Sequence, residues 1–99
     1  MLTSHGTAAT ERPARYLKQL VQHFGHKIET SLTETHGVIK FPFGTAELFA
    51  EPGTLVARAS ASDEESLEKL RNVVASHAER FGVKDNLTFE WITPEVPVH

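Results

Sequence analysis

The stretch that most constrains this chain is residues 62–82, SDEESLEKLRNVVASHAERFG, which carries a helix start, a buried stripe and a stop in one run. Ser62 precedes Glu65 by three residues, the spacing of a capping box in which hydroxyl and carboxylate each satisfy a free backbone N–H of the first turn. Asp63, Glu64 and Glu65 set negative charge at the positive end of the helix dipole, and Arg80 places a cation at the other end. Gly82 is expected just past the terminus, in the left-handed conformation that glycine takes without steric cost. Between these ends Leu67, Leu70, Val73, Val74, Ala78 and Phe81 recur at helical spacing. His77 falls on the same face, about 40° from its centre at ~100° per residue. An imidazole in an apolar stripe calls for a partner.

The rest of the chain has to cover that helix. Its 99 residues, 39% hydrophobic and 23% charged, make one globular domain, 1–99, with a modest core. There is no cysteine, hence neither disulfide nor thiolate chemistry. No basic stretch followed by an apolar run marks the N-terminus, and no segment approaches membrane-span length, so a cytoplasmic protein without membrane contact is expected. The net charge is −3 and the cations are scattered, which disfavours nucleic acid as a partner.

Taken in order, residues 3–9 read as a first strand. Thr10 is an N-cap candidate and Pro13 falls in the first helical turn, where its missing N–H costs little. Tyr16, Leu17, Leu20, Val21 and Phe24 form the stripe of the first helix, which Gly25 ends. Residues 27–33 and 38–43 read as strands joined by a turn at 34–37. Pro42 lacks a ladder donor, so that strand should be an edge or bulge there, or else Phe41-Pro42-Phe43-Gly44 forms a corner that packs both rings. Residues 45–50 continue extended, Pro52-Gly53 suits a type II turn, and residues 54–60 return as a strand. Residues 86–92 form the last strand, with Leu87, Phe89 and Trp91 on one face. The proline-broken tail 93–99 is expected to fray.

Both helices end alike, in Phe24-Gly25-His26-Lys27 and Phe81-Gly82-Val83-Lys84, and each lies between strands. The order β-α-β-β-β-β-α-β therefore predicts an α+β fold: an antiparallel sheet of five or six strands with both helices on one face, lying side by side and parallel.

Several segments are similar to one family. Residues 12–20 (RPARYLKQL), His23-Phe24 with His26-Lys27, Phe41-Pro42-Phe43-Gly44, Leu48 with Ala50, and His77 with Arg80-Phe81 resemble the bacterial domain-of-unknown-function family 2218. The likeness runs from Thr7 to Trp91; Ala78 departs from it, small where a bulkier apolar residue is expected. The resemblance implies a compact α+β domain and no fixed activity. Some relatives stand beside or joined to siderophore-interacting flavoproteins, which implies a link to iron, haem or siderophore handling.

Chemistry-bearing residues fall into two groups. His23, His26 and His77 sit at the ends of the two helices; brought together, neutral imidazoles are ligands for a divalent metal or an axial nitrogen for haem. The plainer outcome for His77 is a backbone-bonded core residue, with His23 and His26 solvated at a helix end. Lys40, Glu47, Arg58 and Glu90, joined by His5, are expected on the helix-free sheet face, as a polar ligand site or as cross-strand ion pairs of small energy. Nucleophile elbow, phosphate loop and metalloprotease motif are all missing. The residues favour a non-catalytic binding or accessory module for a small molecule or metal. Two other readings fit: a small enzyme using His77 as acid or base near Arg58 or Glu90, and a structural homodimer paired through strand edges.

Overall fold

The computed structural model describes residues 2–92. In chain order these form β1 (Leu2–Ala9), α1 (Pro13–Gly25), β2 (Thr30–Leu32), β3 (His36–Phe41), β4 (Gly44–Glu51), β5 (Thr54–Ala61), α2 (Glu64–Phe81) and β6 (Glu90–Ile92), with a 3₁₀ turn at Val83–Asp85. The strands build one antiparallel sheet in the order β2-β3-β4-β5-β1-β6. Both helices pack on one of its faces, as the element order predicts. The tail 93–99 lies outside the described residues.

The topology explains why one face carries both helices. β1 and β5 are antiparallel neighbours, and each launches a helix toward a parallel strand, β1 to β2 and β5 to β6, in opposite directions across the sheet. Crossovers of this kind are right-handed almost without exception. Two of them that start antiparallel and travel oppositely place their helices on the same side and run them in opposite senses. The contacts agree: Arg12 and Tyr16 of the α1 start reach Asp85, whereas His23 and Phe24 near its end reach His77. The helices therefore cross in antiparallel fashion, not side by side in parallel as the repeated helix endings suggested.

Period-two alternation places Leu55, Ala57, Ala59 and Ala61 of β5 under the helices, beside Ala8, Ala46 and Leu48. These small residues let Leu17, Leu20 and Val21 of α1, and Leu67, Leu70 and Val74 of α2, seat close to the sheet. Each fully buried leucine contributes about 1.5–3 kcal/mol. Leu87 and Phe89, on the segment entering β6, close the open end of this core.

Local details depart from the sequence reading in physically clear ways. The α2 cap is Asp63, not Ser62: β5 holds the chain extended to Ala61, and the extended Asp63 accepts the Ser66 N–H on its Oδ1 at 2.7 Å. A carboxylate there bonds more strongly than a hydroxyl and also opposes the dipole charge. At α1 the capping position is Arg12, with Thr10 two residues earlier, its Oγ1 accepting the Arg12 N–H at 3.0 Å. Pro42-Phe43 is a two-residue hairpin turn between β3 and β4, so the corner reading holds: Phe41 and Phe43 stack with ring centres 5.3 Å apart. Gly53, at φ 74°, takes the left-handed place in the Pro52-Gly53 turn. Gly82 is not left-handed, at φ −103°; Asn86 is, at φ 55°. β2 and β6 are shorter than predicted, three residues each.

Candidate functional site

Where the two helices cross, aromatic and imidazole rings from α1, α2 and the β3–β4 hairpin meet. The His23 and His77 ring centres are 5.1 Å apart with the planes tilted by 41°. Phe81 meets the His23 ring edge-on at 5.4 Å, and Phe24 lies 5.1 Å from His23 and 4.9 Å from His77. Phe24 is in turn edge-on to Phe41 at 5.0 Å, so the pair rests on a wall continuous with the hairpin. Lys69 ends the row, its Nζ 4.8 Å from the Phe43 ring centre.

The protonation pattern follows from the partners. His77 Nδ1 lies 2.7 Å from the Val73 carbonyl oxygen one turn earlier. A carbonyl only accepts, so Nδ1 carries the proton, and Nε2 is the ring nitrogen left to bind a metal. His23 is an exposed residue, yet its ring packs against Phe81, Phe24 and His77. That packing pushes its pKa below the ordinary 6.5, helped by His77, His26, Lys27 and Arg80 nearby. At neutral pH His23 is therefore an uncharged imidazole at the surface.

Two of the three histidines predicted as ligands are thus brought together. His26 is exposed beyond the end of α1, close enough to act on His23 electrostatically but outside the ring cluster. Among the described residues no group of three His, Cys, Asp or Glu side chains is arranged to hold a metal ion. The residues present fit two nitrogen ligands with the remaining positions supplied from outside, not a closed structural cage.

The predicted polar sheet face is organised differently. Glu47, Arg58 and His5 stand directly opposite one another on β4, β5 and β1, in one row across the helix-free face. Lys40 lies one row away and reaches Glu29 (Nζ to Oε2, 3.0 Å); Glu90 lies one row away on the other side, opposite Thr7. The sheet stands between His77 and both Arg58 and Glu90, so those three cannot share one substrate. That removes the enzyme site as first composed.

Sequence reading missed two features. His36, read as part of a turn, begins β3, stacks on Phe49 at 4.7 Å and places Nε2 3.2 Å from Glu47 Oε2. Tyr16, read as core alone, is buried but donates its hydroxyl proton to Asp85 Oδ2, and that carboxylate raises its pKa above 10.0. Only the tyrosine's place on the edge of the α1 stripe hinted at this; Asp85 carried no signal.

Six antiparallel strands under two crossed helices, with a surface imidazole pair at the crossing, define a small α+β domain. The family described as "Uncharacterized protein conserved in bacteria (DUF2218)" matches residues 5–92, and the chain belongs to it. The NMR structure of PA4090 from Pseudomonas aeruginosa is similar, at 36% identity and a TM-score of 0.82, over 97% of this chain and 100% of that one. Comparison with curated proteins finds no match. No helix among the described residues is long and apolar enough to cross a membrane.

Proposed function

We propose that this chain is a non-catalytic binding module whose His23–His77 pair takes a transition metal ion presented within a chelate that leaves two adjacent positions open, or lends one of the two imidazoles to haem as an axial ligand. One observation carries the reading: two imidazoles from different helices lie with ring centres 5.1 Å apart on a surface lined with phenylalanine. Two imidazoles on one ion, with bonds of about 2.1 Å at a near-tetrahedral angle, hold their ring centres about 5 Å apart. The Val73 carbonyl orients His77 as outer hydrogen bonds orient metal-bound histidines. Imidazole suits iron, copper and zinc, and the siderophore setting implied by the family resemblance directs the choice to iron. Phe24 and Phe81 offer ring faces and edges to a flat or aromatic ligand.

The test titrates the purified chain with hemin, a ferric hydroxamate chelate and zinc, read by absorbance and calorimetry. Saturable binding with one of them, weakened at least tenfold by His23→Ala and by His77→Ala (for hemin, by one of the two) and little by His26→Ala, is the expected result. Absence of binding at micromolar concentrations of all three removes the proposal.

A further inference from the structure

A second site lies on the other side of Phe81, where the start of α1 meets the end of α2. A cleft of about 500 Å³ opens there, and four cations line it: Arg12 at the cap of α1, Arg15 from its first turn, Arg80 from the last turn of α2, and Lys84 from the 3₁₀ turn. These are four of the ten lysines and arginines in a chain of net charge −3. Among the described lining residues one carboxylate faces them, that of Asp85, which accepts the Tyr16 O–H hydrogen bond and lies 3.5 Å from the Arg12 guanidinium. A second hollow, of about 420 Å³, adjoins the first through Arg12 and Asp85 and brings the Glu11 carboxylate to its rim. The first turn of α1 has no acidic residue of its own, so its positive dipole end adds to the charge beside the cleft.

We infer that this cleft binds a small polyanion, a molecule with two or more carboxylate or phosphate groups, with Arg15, Arg80 and Lys84 as its charge partners. Asp85 already occupies the place of one anionic group beside Arg12. Arg15, Arg80 and Lys84 converge from three elements and meet no acidic side chain within ion-pair distance among the described residues. Bringing like charges together costs energy that an anionic ligand returns. Guanidinium groups give such a ligand paired, planar donors. The volume is that of a small-molecule pocket. A long polyanion fits less well, because the cations converge on one hollow instead of forming a stripe, and the chain as a whole is negative. The cleft adjoins the histidine pair through Phe81 and Arg80, but none of its proposed charge partners is a histidine.

The experiment is a calorimetric titration of the full chain with citrate and with pyrophosphate, at ionic strength matched with sodium acetate. A single-stranded oligonucleotide and anionic lipid vesicles serve as further arms. Saturable one-to-one binding of citrate or pyrophosphate is expected. It should weaken at least tenfold in Arg15→Ala/Arg80→Ala and in Lys84→Gln, stay unchanged in Lys18→Ala, whose lysine lies outside the cleft, and survive His23→Ala. Circular dichroism identifies any variant that fails to fold, and exposed Lys84 keeps the test standing if the arginine pair does so. The inference is overturned if neither anion saturates at millimolar concentration, if Lys18→Ala weakens binding as much as the cleft variants do, or if the oligonucleotide or vesicles bind more tightly than both.

Discussion

Leu87 rests on the bare backbone of Gly82: a Cβ built at position 82 would lie 2.4 Å from the Leu87 Cβ. The Leu87 N–H also donates to the Gly82 carbonyl at 3.0 Å, closing a loop around the left-handed Asn86. Glycine is needed here for close approach, not for an unusual dihedral angle. This contact turns the chain from α2 into β6 and fixes the Val83–Asp85 segment that supplies Lys84 and Asp85 to the cleft.

Gly82→Ala should therefore destabilise by about 1–3 kcal/mol, the usual cost of overpacking a tight contact. Chemical denaturation followed by Trp91 fluorescence measures it. An unchanged midpoint would mean that Leu87 moves aside freely.

Asp63→Ala should lower the melting temperature, and Asp63→Asn should recover most of that loss, because an amide oxygen still accepts the Ser66 N–H. The hydrogen bond from Ser66 holds the Asp63 pKa below its ordinary 3.8. A depressed folded-state pKa contributes stability that is present above 3.8 and lost as pH falls through the lower, folded value. Thermal scans at descending pH should show a shallower acid loss for Asp63→Asn than for wild type.

Tyr16 is the only tyrosine, so phenolate absorbance reports on it alone. The bond to Asp85, then burial, raise its pKa above 10.0. The sign is the reverse of the Asp63 case: the contribution is complete below pH 10 and lost as pH rises through the folded value. Asp85→Asn should move the phenol titration down toward 10, and Tyr16→Phe should reduce stability by about 0.5–1.5 kcal/mol. A titration midpoint unaffected by Asp85→Asn would show that the bond does not persist in solution.

The architecture was legible because its signals are local and periodic. The stripes Leu67–Leu70–Val74 and Leu17–Leu20–Val21, the alternation in β5 and the Pro52-Gly53 turn each state their element without reference to the rest of the chain. The cap was misplaced by one residue because Ser62 and Asp63 are both competent, and the extent of the β5 ladder, a tertiary fact, decides between them. Helix direction was misread because matching helix endings say nothing about whether the launching strands run parallel, and β1 and β5 do not. The meeting of His23 with His77 was expected from helices lying parallel on one face; it occurs in antiparallel ones, because the end of α1 crosses α2 at His77, one turn before the α2 end. The exclusion of His26 could not be guessed, because it depends on where α1 stops relative to the crossing. Asp85 stayed invisible for the same reason, its partner lying 69 residues away in sequence.

For a chelated ion, the proposed function requires His23 and His77 to act as one two-nitrogen site. Histidine-ring nitrogen NMR during a zinc titration tests it most directly. Such a site predicts that the His23 and His77 rings shift together and saturate at one equivalent, with the His77 Nδ1 proton retained on its bond to Val73. A response confined to exposed His5 or His26, or a His77 ring that does not move, would contradict it.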